Sequence, residues 1–192
     1  DFTHSGACEG NPTQFTDASI PNAASIISYA WDFGDGGTST VQSPSHTYTA
    51  PGLVNVTLTI VNSYGCIQTV SKPVNVNPAP VAEFSYSSAA CIGNPVSFTD
   101  HSYVPPVAGS STYINTWQWD FGDGTGVTTI NFPASPDVIH TFTGTATSHV
   151  VRLTVTTNAN CTFLIEKTVV SAASPAAGFS YSSTTCELHP VQ

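Results

Sequence analysis

Trp31-Asp32-Phe33-Gly34-Asp35-Gly36 recurs, 88 residues later, as Trp119-Asp120-Phe121-Gly122-Asp123-Gly124. Leading into the first copy, Tyr29, Trp31 and Phe33 alternate with Ala30 and Asp32; leading into the second, Trp117, Trp119 and Phe121 alternate with Gln118 and Asp120. A period of two places three aromatics on one face, the pattern of a half-buried β-strand. Gly-Asp-Gly then supplies the positive φ angles that bulky residues adopt only at a cost, so a tight turn follows the strand. The aromatics predict the centre of a core, and the glycines mark where the chain leaves it.

Working outward, a second motif follows each copy. After the first come His46-Thr47-Tyr48, Gly52, Val56-Thr57-Leu58-Thr59-Ile60 and Asn62 to Gly65. After the second come His140-Thr141-Phe142, Val151-Arg152-Leu153-Thr154-Val155 and Asn158 to Asn160. With these two motifs in the same order twice, nearly the whole chain resembles tandem PKD (polycystic kidney disease) domains. The resemblance implies an all-β fold of Ig-like antiparallel β-sandwiches, with His46 and His140 as structural histidines beside a buried aromatic. One departure is Phe142 in place of Tyr48, which removes a hydroxyl from the second copy.

The boundaries expected are 1–77 and 78–172 for two domains, with 173–192 as the first strand of a third repeat. Phe2, Cys8 and Asn11-Pro12 open the first unit, Phe84, Cys91 and Asn94-Pro95 the second; Phe179, Cys186 and Pro190 start the same order again. The chain therefore reads as a window on a longer array of domain-sized repeats. The second unit carries about eleven additional residues, within 101–115 and 125–137. Rich in Pro, Ser and Gly, these are expected to be surface loops, with Tyr103, Tyr113 and Phe132 exposed on them.

Charged residues make up 8% of the 192, and only three are basic, Lys72, Arg152 and Lys167, giving a net charge of −9. Nucleic-acid binding needs a basic footprint, so it is excluded. No apolar run reaches transmembrane length, so no membrane insertion is expected.

The five cysteines, Cys8, Cys66, Cys91, Cys161 and Cys186, keep step with the duplication. No Cys-x-x-Cys occurs, which leaves zinc and redox motifs without support. One disulfide per domain is expected, Cys8–Cys66 and Cys91–Cys161, with Cys186 unpaired inside this window. Disulfides imply an oxidising, extracellular setting.

Asp32, Asp35, Asp120 and Asp123 are the acidic candidates for calcium, whose ligands are oxygens. Their spacing does not match an EF-hand loop, and Asp beside a turn ordinarily caps the turn's own amides. No metal and no cofactor are therefore expected. No Gly-x-Ser-x-Gly, nucleophilic triad or metal-ligand spacing occurs, so the chain is expected not to be an enzyme.

The function expected is a non-catalytic structural or adhesive module, forming an extended stalk or filament at the cell surface. It resembles the PKD arrays of large bacterial surface proteins. Neighbouring repeats or copies of the same protein are the expected partners, with surface glycans or host and substratum proteins as further ones. The alternative is a carbohydrate-binding or spacer module appended to a secreted hydrolase.

Overall fold

The computed structural model describes residues 1–22, 24–88, 91–173 and 177–180. Among the described residues fifteen strands make two successive sandwiches, and no helix occurs. In the first domain β1 (Phe2–His4), β3 (Pro12–Asp17) and β6 (Ser45–Thr47) form one sheet. The facing sheet holds β2 (Ala7–Cys8), β8 (Ile67–Asn77), β7 (Gly52–Asn62), β4 (Ile26–Asp32) and β5 (Thr38–Ser39), in that order. The second domain repeats this plan. One sheet is β13 (Val138–Thr141), β10 (Pro95–Asp100) and β9 (Phe84–Tyr86). The other is β12 (Val127–Asn131), β11 (Ile114–Asp120), β14 (Ser148–Thr157) and β15 (Thr162–Val170). The short β2 has a counterpart in the bridge that Cys91 makes to Ala172.

The duplicated motif ends β4 and β11, as its alternation requires. Trp31 stands opposite Leu58 on β7, and Trp119 opposite Leu153 on β14. Trp31, Phe33, Val56 and Leu58 lie in one buried cluster with Phe2, Phe15 and Tyr48. Trp119, Phe121, Val151 and Leu153 lie in the other with Phe84, Phe98 and Phe142. Each indole also keeps its N–H satisfied, as a buried Trp must: Trp31 Nε1 donates to the Val41 carbonyl at 2.9 Å and Trp119 Nε1 to that of Pro136 at 3.1 Å.

The cysteine pairing differs from the sequence expectation. Neither Cys8–Cys66 nor Cys91–Cys161 forms; the disulfide joins Cys8 of the first domain to Cys161 of the second, leaving Cys66 and Cys91 as thiols. The reason is geometric. Cys8 lies beside Asn77, the last residue of β8, whereas Cys66 immediately precedes its first, Ile67. At about 3.3 Å per residue those positions are roughly 35 Å apart, while a disulfide holds its Cα atoms within about 7 Å. Cys91, paired with Ala172, and Cys161, just before Thr162, stand at opposite ends of the second domain in the same way. Cys186 lies outside the described residues.

Gly34 and Gly122, at φ of 80° and 69°, begin the turns after β4 and β11. A Cβ there would come within 2.5 Å of the Asn55 carbonyl oxygen, or 2.4 Å of that of Val150, because the turn crosses the neighbouring strand. Gly36 has a similar φ of 94° but open space around it. Gly34→Ala should therefore destabilise the first domain by more than the roughly 1–3 kcal/mol of backbone strain that Gly36→Ala carries alone. Chemical denaturation of the two variants checks that order.

Candidate functional site

The turn after each aromatic strand is a hydrogen-bonded unit. Asp32 Oδ1 accepts from the Gly34 amide and Asp35 Oδ1 from the Gly37 amide, both at 2.9 Å. In the second copy Asp120 Oδ1 accepts from the Gly122 amide at 2.9 Å. Asp123 Oδ1 takes both the amide and the hydroxyl of Thr125, at 3.1 and 2.6 Å. Nε2 of His46 meets Asp35 Oδ2 at 2.8 Å, and Nε2 of His140 meets Asp123 Oδ2 at 2.7 Å. An ionised carboxylate only accepts, so Nε2 carries the hydrogen in both pairs.

Those histidines are placed by stacking. The His46 ring lies 4.1 Å from that of Phe33 at an interplanar angle of 6°, and His140 lies 3.8 Å from Phe121 at 2°. Each then meets the edge or face of the next aromatic, Tyr48 or Phe142. The Tyr48 hydroxyl donates to the Phe33 carbonyl at 3.4 Å. Phe142 makes no such bond; the ring of His149 stacks on it instead, 4.4 Å away at 14°.

Burial tends to raise the carboxyls of Asp35 and Asp123, but the hydrogen bonds they accept, from His46 and Gly37 and from Thr125 and His140, outweigh it. Asp35 is held below the usual carboxylate range, and Asp123 is brought down to about 2. Burial, then the charge of Asp35, pushes the Tyr48 phenol up to about 12. Among the described residues no group of three or more His, Cys, Asp or Glu converges as a metal site would require.

Two features were not singled out in the sequence. Lys72 and Lys167, 95 residues apart, lie over the rings of Phe2 and Phe84 at 5.1 and 5.0 Å. Each also donates to the carbonyl of that same phenylalanine. The signal was available: two of only three basic residues at equivalent places in the repeat. The other feature is the junction. Cys161 is fully buried, a Cβ built on Gly6 would stand 4.0 Å from the Ala159 carbonyl oxygen, and the Thr112 hydroxyl reaches Asn77 Oδ1 at 3.5 Å.

The added loops of the second domain shape an open apolar cleft of about 760 Å³. Tyr103, Tyr113 and Phe132, all exposed, line it around Trp117, with Tyr113 and Phe132 edge to face at 5.6 Å. Trp117 Nε1 donates to Asp100 Oδ2 at 2.9 Å, which fixes the floor of the cleft.

The model of the PKD domain family matches residues 2–76 and 77–170, and the chain belongs to that family. It is 36% identical over 81 residues to the pre-pro-metalloprotease PrtV of Vibrio cholerae, covering 41% of this chain and 9% of that protein. It is 41% identical over 61 residues to the collagenase ColA of Bacillus cereus, covering 32% of this chain and 6% of that one. The crystal structure of the PKD1 domain of the Vibrio cholerae protease PrtV superposes with a TM-score of 0.37 and 34% identity, over 40% of this chain and 91% of that domain. The chain thus spans less than a tenth of the curated relatives' length.

A carboxyl whose pKa is lowered by folding stabilises the fold above its unfolded value, and the contribution disappears as pH falls through the folded one. For Asp123 that window runs from 3.8 down to about 2. Asp123→Asn should melt at a lower temperature than the parent at pH 5 to 7, with the difference closing as pH approaches 2. Thermal melts across that range measure it.

Proposed function

We propose that the chain is a non-catalytic structural and adhesive module of an extracellular protein, built to carry tension along an extended stalk or filament. The observation behind this reading is the Cys8–Cys161 bond, which joins residues 153 apart across two domains. A pull applied at the chain's ends runs from Cys8 through the sulfurs to Cys161. It bypasses Trp31, Trp119 and the rest of residues 9–160, and leaves only β1, Ala7 and β15 of the two cores in the loaded path. The bond itself suits an oxidising compartment, and the PKD domains of secreted-type proteases and collagenases offer the precedent of extracellular modules. The proposed partners are neighbouring repeats or copies of the same protein.

A second reading rests on the cleft around Trp117. Exposed aromatics beside a satisfied indole suit the apolar face of a sugar ring or of a protein side chain. The module would then bind surface glycans or substratum proteins, or serve as a spacer or binding appendage of a secreted hydrolase.

Force spectroscopy on the chain held at both ends tests the first reading. The oxidised chain should extend without releasing the 153-residue loop, and a reductant should add roughly 550 Å of contour at about 3.6 Å per residue. Two domain-sized unfolding steps before reduction would contradict it.

A further inference from the structure

We propose that Cys66 and Cys91 are open halves of the same junction, each built to bond a cysteine of the adjoining PKD repeat. An array would then be stitched by one disulfide across every domain boundary. The inference uses the junction geometry described above and extends the tension-carrying reading to repeats on either side.

The backbone around the two thiols reproduces that around the two bonded cysteines. On the Cys8 side, the Glu9 amide donates to Asn77, the Gly10 amide to Tyr48 and the Asn11 amide to Cys8. Around Cys91 the same three bonds run from Ile92 to Ala172, from Gly93 to Phe142 and from Asn94 to Cys91. The parallel pairing of Cys8 with Asn77 becomes that of Cys91 with Ala172. Cys91 therefore stands at the far end of the second domain just as Cys8 stands at the far end of the first.

The hairpin cysteines match equally well. Asn62 donates its amide to the Cys66 carbonyl, and Thr157 to that of Cys161. The Cys66 amide returns to Asn62 Oδ1 at 3.0 Å, and that of Cys161 to Thr157 Oγ1 at 3.1 Å. Gly65 and Asn160, at φ of 76° and 61°, hold the same turn slot. What differs is cover: Cys161 is buried against the first domain, whereas Cys66 is exposed and Cys91 half-buried. Neither thiol can turn inward to the other cysteine of its own domain, because the length of β8 or β15 separates them. A cysteine presented by a neighbouring repeat, at the spacing of the Cys8–Cys161 junction, is the partner that fits.

Bond formation is a two-electron oxidation. With oxidised glutathione as oxidant, two protein thiols give one protein disulfide and two molecules of reduced glutathione, through a mixed-disulfide intermediate.

The test completes a third repeat. Cys186 and Pro190 keep the spacing of Cys91 and Pro95, so Gln192 corresponds to Ser97. The full chain is extended after Gln192 by a second copy of residues 98–172, then refolded in a glutathione buffer and mapped without reduction. Cys91 should be bonded to the added copy of Cys161, with Cys8–Cys161 retained and Cys66 and Cys186 unpaired; Cys91→Ser should leave the added cysteine as a thiol. Cys186 bonded to the added Cys161, or Cys91 left as a thiol while Cys8–Cys161 forms, would overturn the proposal. Loss of Cys8–Cys161 itself would instead overturn the junction reading beneath it. A second measurement needs no extension: the 192-residue chain bearing Cys186→Ser is oxidised at high concentration. Cross-links between copies should join Cys66 to Cys91 in excess of either homodimeric link, and equal amounts of all three would count against a specific junction.

Discussion

The length of one strand governs how this chain is linked together. β8 and its counterpart β15 run from the hairpin at one pole of a sandwich to the boundary at the other. Each repeat places one cysteine at either end of that strand. A rigid strand cannot fold back on itself, so no disulfide can close within a repeat, and the bond that forms crosses the boundary. The linker carries Pro78 and Pro80, and at the junction a Cβ on Gly6 would stand 4.0 Å from the Ala159 carbonyl oxygen. The chain-entropy model assigns about 5 kcal/mol to a closed loop of 153 residues. That figure applies to the joint unfolding of both domains, so the bond couples them thermodynamically as well as mechanically.

Within each sandwich the corresponding constraint is a stack. Trp, Phe and His lie face to face in sequence, and the Asp of the turn holds the histidine from outside. The acidic residues of the motif are thereby occupied by amides, a hydroxyl and an imidazole. Their chemistry serves the fold: they lock the turn that lets the chain leave the core beneath Gly34 and Gly122.

Much of this architecture was legible in the residues. The alternation of Tyr29, Trp31 and Phe33 identified β4 and its buried face, and the duplication carried the same reading to β11. Asn62 to Gly65 and Asn158 to Asn160 were matched as equivalent segments, and the residues that close them, Gly65 and Asn160, both have positive φ. The additional residues of the second copy were read as loops; Val127–Asn131 instead pairs with β11 as strand β12, and 114–115 already belong to β11, while Tyr103, Tyr113 and Phe132 are exposed as expected. The disulfides were not legible. Repeat register says which cysteines are equivalent, but it does not say at which pole each one lies. That needs the parallel pairing of Ala7–Cys8 with the end of β8, a two-residue contact with no periodic signature. Cys8–Cys66 and Cys8–Cys161 satisfy the duplication equally well, and only the strand's length separates them. The cleft escaped notice for a similar reason, since Trp117 and Phe132 are 15 residues apart and meet only through the pairing of β11 with β12.

The account depends on one covalent link between domains, and disulfide mapping reads it directly. The oxidised 192-residue chain is digested with pepsin at low pH, where exchange is suppressed, and its linked peptides are sequenced by mass spectrometry. A peptide joining Cys8 to Cys161, with Cys66 and Cys91 recovered as thiols, is the predicted result. Peptides joining Cys8 to Cys66 and Cys91 to Cys161 would contradict it.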